Sequence, residues 1–109
     1  FLSKSWQFHA NSESSHRFTK INGDDLYVLS VENTSDAPIT IQVIEYDKTG
    51  KALGSRELAI PGKDPFTEVY DTENRIFSVG VQILSPSAKG RVSVAHGANP
   101  ERTNTNKLN

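Results

Sequence analysis

An alternation of apolar and polar side chains, two residues per repeat, runs through most of the chain, and it constrains the fold more than any single motif. "RIFSVGVQILS", residues 75 to 85, is the clearest case, with Phe77, Val79, Val81 and Ile83 alternating with Ser78, Gly80 and Gln82. Successive side chains of an extended strand point to opposite faces, so a run like this buries one face and leaves the other to water. "GRVSVAHG", residues 90 to 97, repeats the pattern with Val92, Val94 and His96. In "DLYVLSVEN", residues 25 to 33, Tyr27, Leu29 and Val31 alternate with Leu26, Val28 and Ser30. Both faces start apolar there, which predicts a strand inside a sheet rather than at its edge. "PITIQVIEY", residues 38 to 46, sets Ile39, Ile41 and Val43 against Thr40, Gln42, Ile44 and Tyr46. The change of apolar character near Val43 and Ile44 predicts a bulge or a partly covered second face.

Four weaker segments complete the set: "SWQFHA" (5 to 10), "HRFTKI" (16 to 21), "KALGSRELAI" (51 to 60) and "PFTEVY" (65 to 70). No stretch carries apolar residues at three-four spacing for the length a helix needs, although one turn of helix around "DTENR" is compatible with the residues there. The expectation is an all-β fold, an antiparallel β-sandwich of immunoglobulin-like type with seven or eight strands. At 109 residues the chain is long enough for one self-sufficient core. A single domain over residues 1 to 97 is expected, followed by a flexible tail, "ANPERTNTNKLN", over 98 to 109.

The connections are also legible. Asp47-Lys48-Thr49-Gly50 has the chemistry of a type I turn: Asp accepts from backbone amides, and Gly accepts the positive φ that returns the chain to the sheet. "SAKGRVS", residues 87 to 93, repeats that chemistry with Ser87 and Gly90 and predicts a second hairpin of the same design. A calcium loop at Asp47 is not expected, because Lys48 and Lys51 stand where a cation would be repelled.

"VENTSDAPITIQVIEYDKTGKALGS", continued by "AIPGKDPFTEV", resembles the extracellular bacterial β-sandwich modules of the FxLYD kind and related Ig-like lipoprotein domains. The resemblance covers residues 27 to 70 and rests on Asn33, Thr34, Ser35, Pro38, Tyr46, Asp47, Gly50, Leu53, Pro61 and Gly62. Val43 and Glu45 replace the Phe and Leu that name the motif. It implies a sandwich fold and an extracellular or cell-envelope setting, with no reaction and no assigned binding residues. The chain opens on Phe1 rather than Met, so a preceding segment is expected, where a secretion leader or a lipid anchor would sit.

Charge narrows the function. With 12 basic and 13 acidic residues interleaved along the chain, no basic stripe exists to follow a phosphate backbone, and nucleic acid is not an expected partner. No apolar run approaches the length of a membrane span. Cysteine is absent, which removes disulfides, thiolate metal sites and cysteine nucleophiles together. No G-x-S-x-G stretch occurs, and Asp24 and Asp25 are neighbours in a turn rather than two carboxylates set across a cleft. Catalysis and cofactors are not expected.

Two constellations remain. His9 and His16 would face each other if residues 5 to 10 and 16 to 21 paired as a hairpin, with Glu13 in the loop, whereas His96 is expected to be semi-buried near a strand end. Trp6 and Phe8 share one face of the first strand and are read first as closing one side of the core. With His16, Arg17 and Tyr46 they also make up the candidate recognition surface for a protein or glycan. Asn33-Thr34-Ser35 fits the glycosylation triplet inside a turn. The expected function is therefore a non-enzymatic secreted or surface-attached module that binds a protein or glycan through loops or an edge strand. The competing expectations are a small secreted metal-dependent or hydrolytic protein using His9 and His16, and a structural spacer of an envelope protein.

Overall fold

A computed structural model describes residues 2–9, 14–19, 26–62, 65–72 and 75–97. These residues form eight strands and no helix: β1 (Leu2–Phe8), β2 (Ser15–Phe18), β3 (Leu26–Asn33), β4 (Ile39–Tyr46), β5 (Ala52–Ile60), β6 (Pro65–Asp71), β7 (Ser78–Ile83) and β8 (Gly90–Gly97). All eight overlap the segments read from sequence, although β1 begins three residues before "SWQFHA" and β2 spans only Ser15–Phe18. The strands make two antiparallel four-stranded sheets, ordered β1-β8-β3-β6 and β2-β7-β4-β5. The antiparallel sandwich is as expected, but the immunoglobulin-like order is not what forms. An immunoglobulin sheet sets its first two strands side by side, whereas here β1 pairs with β8 and β2 pairs with β7, in different sheets.

The turn after β4 explains this order. Gly50 adopts φ +86°, and its amide donates to the Asp47 carbonyl (3.0 Å) while the Asp47 amide donates to the Lys51 carbonyl (2.9 Å). The Asp47 carboxylate accepts from the Thr49 amide (2.8 Å), the Thr49 hydroxyl (2.6 Å) and the Lys51 amide (3.0 Å). These bonds, the Thr49 hydroxyl first, hold its pKa below the usual carboxylate value. From this hinge the chain doubles back on itself. β4 pairs with β5, β3 with β6, β2 with β7 and β1 with β8, and the folded-over ribbon rolls into two Greek keys, the jelly-roll arrangement. Gly50→Ala places a Cβ in the left-handed region and is expected to cost about 1 kcal/mol, read as a lower urea midpoint at unchanged slope.

The second expected hairpin is not formed. Residues 84 to 89 carry the chain from β7 in one sheet to β8 in the other. Ser87 itself takes the positive φ (60°), and Gly90 serves a different purpose. A Cβ there would lie 2.1 Å from the Glu32 carbonyl oxygen, so the glycine is what lets β8 lie against β3. The bulge falls beyond the switch seen in sequence. The register of β4 and β5 slips between Glu45 and Tyr46, leaving Leu53 without an opposite residue.

Between the sheets, Tyr27, Leu29 and Val31 of β3 and Val92 and Val94 of β8 meet Ile39, Ile41 and Val43 of β4 and Val79 and Val81 of β7, all buried. Asn33 fixes one corner. It is 2% exposed, its side-chain amide donates to the carbonyls of Ala37 (2.9 Å), Ile60 (3.3 Å) and Pro61 (3.3 Å), and its oxygen accepts from the Ser35 amide (2.9 Å). The amide that a glycosylation reading would need is thus consumed in holding the turn. The Ser35 hydroxyl accepts from the Lys89 amide (2.9 Å), tying this turn to the crossover before β8.

Candidate functional site

The outer face of the β2-β7-β4-β5 sheet is built from the residues that alternate with the core. Arg17 of β2, Gly80 of β7 and Ile44 of β4 lie in one cross-strand row, and Ser15, Gln82 and Gln42 in the next. Gly80 leaves an empty place in the first row, and the Tyr46 ring folds into it. A Cβ at Gly80 would lie 3.1 Å from Tyr46 Cε2. A glycine inside a strand often marks such a close approach. The Arg17 guanidinium then lies 3.7 Å from the centroid of the Tyr46 ring, a cation–π geometry. Ser15, His16, Arg17, Ile44, Tyr46, Gly80, Val81 and Gln82 line an open concavity of about 310 Å³, the lower end of the size range of small-ligand sites.

Two of the five side chains singled out from sequence, Arg17 and Tyr46, therefore meet at one place, while those of Trp6, Phe8 and His16 do not. His16, Arg17 and Tyr46 line the groove. Phe8 is 3% exposed and belongs to the core, with Trp6 half-buried against it. Trp6 and Phe8 help close the side of the sandwich where β1 overlies β2. The Trp6 and His16 rings stack at 5.5 Å and 13°, His16 meets Phe18 edge-on at 4.8 Å, and Trp6 and Phe8 are 5.6 Å apart. The His16 ring thus belongs to the seam, although the residue borders the groove.

The hairpin that would have set His9 opposite His16 is not formed, because β1 and β2 belong to different sheets. Among the described residues no three His, Cys, Asp or Glu side chains converge as a metal site. His96 is 2% exposed, more deeply buried than its position near the strand end implies. Glu13, Asp24, Asp25, residues 73 and 74 of "DTENR" and the tail over 98 to 109 lie outside the described residues.

The opposite side of the sandwich, where β6 overlies β5, is closed by a polar clasp that sequence reasoning missed. Glu45 continues the inward register of Ile39, Ile41 and Val43. Its carboxylate accepts from the Tyr27 hydroxyl and pairs with Arg56 at 2.7 Å. Arg56 also donates to the Tyr27 oxygen (3.2 Å) and lies 4.0 Å from the centroid of the Tyr70 ring. Tyr70 in turn donates to Glu68 (2.6 Å). A carboxylate in phase with three core residues was the signal available in the sequence.

Burial above all, and then the hydrogen bond to Glu45, pushes the Tyr27 phenol above its ordinary pKa of 10.0, and burial with the bond to Glu68 does the same for Tyr70. Below pH 10 both phenols keep their protons folded or unfolded, and their contribution to stability is complete. As pH rises past 10 the unfolded phenols ionise while the folded ones do not, so stability is lost toward the raised native values. Urea melts from pH 8 to 11.5 are expected to show this loss, with a shallower decline in Tyr27→Phe.

These features define an eight-stranded antiparallel jelly-roll sandwich with an open, arginine-bearing groove on one sheet. No family model matches the chain, and no curated protein does. Solved structures do resemble it. The SPBc2 prophage-derived protein YomS is 10% identical at a TM-score of 0.54, covering 89% of this chain and 96% of its own. The Anabaena sensory rhodopsin transducer is 14% identical at 0.53, covering 91% and 95%. A chain from the structure of accessory secretory protein 1, 2 and 3 in Streptococcus pneumoniae is 11% identical at 0.51, covering 85% and 79%. At these identities the likeness is one of fold.

Proposed function

We propose that this chain is a non-enzymatic secreted or cell-surface-attached β-sandwich module that binds a macromolecular partner, a glycan or a protein, through the groove around Arg17 and Tyr46. The observation that carries this reading is the Arg17 guanidinium held over the Tyr46 ring beside Ser15 and Gln82. Such an arrangement offers oriented hydrogen-bond donors on a rigid sheet, and recognition through shape and hydrogen bonding needs no more. Three of its lining residues, Ser15, His16 and Arg17, come from β2, an edge strand of that sheet. The extracellular or envelope setting draws its support from the resemblance over residues 27 to 70.

A glycan array and a pull-down on the whole chain, repeated with Tyr46→Ala and Trp6→Ala, test the reading. Tyr46→Ala is expected to abolish binding by removing the support of Arg17. Trp6→Ala, at the seam, is expected to lower stability while leaving the bound species the same. Binding indifferent to Tyr46→Ala would overturn the groove as the contact surface, and no binding at all would leave the chain as a structural spacer.

A further inference from the structure

We propose that the groove recognises the carboxylate of an acidic saccharide, an inference that rests on the binding reading above and names its ligand class. The pairing of the arginines points there. Arg56 is paired with Glu45 and Arg91 with Glu32 (3.1 Å), whereas the Arg17 side chain makes no ion pair or hydrogen bond with the described residues, only its stack on Tyr46. Stacking on an aromatic face uses the plane of a guanidinium and leaves its rim of N–H donors available. A planar anion that matches this fork is a carboxylate, which can accept two parallel bonds. The whole chain carries a formal net charge of −1. Attraction to an anion must therefore be local, and contact must supply it.

The neighbouring row supplies what the rest of a sugar needs. Ser15 and Gln82 are direct cross-strand partners, and Gln42 follows Gln82. That row lies two residues along the strand from Arg17, about 7 Å away, a distance that one pyranose ring and its carboxylate can bridge. A hydroxyl and two amides each donate and accept, which suits sugar hydroxyls. An acidic peptide is the weaker fit. Extended peptides take much of their affinity from backbone bonds along an open sheet edge, whereas the Arg17–Tyr46 stack lies on the sheet face, across strands already bonded in the β2·β7 and β4·β7 ladders, and not along the free edge of β2.

The test is a titration of the whole chain, by calorimetry and amide chemical shifts, with oligogalacturonate, oligomannuronate and hyaluronate fragments. Each is compared with its carboxyl-reduced neutral counterpart, and an oligoglutamate peptide is included. At least one acidic saccharide is expected to bind, with shifts at Ser15, Arg17, Tyr46 and Gln82. Its neutral counterpart and the Arg17→Gln variant are each expected to bind about tenfold or more weakly. Arg17→Lys should recover little of this, because an ammonium lacks the fork, and the melting temperatures of both variants should stay within about 5 °C of the parent's, so that lost binding is not lost folding. Equal binding of acidic and neutral saccharides, still lost in Tyr46→Ala, would overturn the carboxylate inference and leave the binding reading standing. Binding of oligoglutamate alone, or of no acidic saccharide, would overturn it outright.

Discussion

Gly90→Ala is expected to lower stability by about 3 kcal/mol, among the largest effects of any single methyl group in this chain. The added Cβ would lie 2.1 Å from the Glu32 carbonyl oxygen and 2.9 Å from Phe8 Cζ. The first contact is with backbone, and no rotamer change can relieve it. Gly90 opens β8, the strand between β1 and β3, and pairs with Phe8 on one side and Asn33 on the other. Relief would require the β3·β8 ladder to part beside the corner that Asn33 holds. Gly54→Ala is the control, since nothing lies within 4 Å of a Cβ there. Urea unfolding is expected to show a large fall in midpoint for Gly90→Ala and a small change for Gly54→Ala. Equal effects would mean that β8 does not lie against β3 as described.

Tyr27→Ala is expected to cost about 4 kcal/mol, as for other large aromatic side chains truncated in a core. Tyr27 is 0% exposed and packs 5.0 Å from the Tyr70 ring. Its hydroxyl is one member of the clasp, so Tyr27→Phe separates packing from hydrogen bonding. That variant keeps the ring and leaves Glu45 paired with Arg56, and is expected to cost about 1 to 2 kcal/mol. A double-mutant cycle with Glu45→Gln should show coupling, because the two side chains are in direct contact. If Tyr27→Phe were as costly as Tyr27→Ala, the clasp rather than the core would hold this side of the sandwich.

The strands were legible in sequence because period-two alternation is a local property. "DLYVLSVEN" and "GRVSVAHG" coincide with β3 and β8 almost residue for residue. Strand order was not legible, because pairing Leu2 with His96 or Ser15 with Gln82 depends on where the chain turns between sheets. The residues at those crossovers resemble hairpin turns in composition. Ser87 and Gly90 show this: the same residue types as Asp47 and Gly50 nearly repeat, yet one pair closes a hairpin and the other spans two sheets. The site was half legible. His16, Arg17 and Tyr46 could each be singled out as chemistry-bearing, but Arg17 and Tyr46 meet only because β7 lies between their strands and carries glycine at position 80. Glu45 was overlooked because a charged residue at the end of an apolar run reads as the strand leaving the core.

Every element of the groove requires β7 to lie between β2 and β4. A nuclear Overhauser map of backbone protons on uniformly labelled protein tests that arrangement directly. Cross-strand contacts should link Ser15–Phe18 to Val79–Gln82, and Ser78–Ile83 to Ile41–Tyr46, with residues 2–8 in contact with 90–96. Residues 15–18 joined to 2–8 with no contacts to Val79–Gln82 would contradict it, because Arg17 and Tyr46 would then no longer share a face.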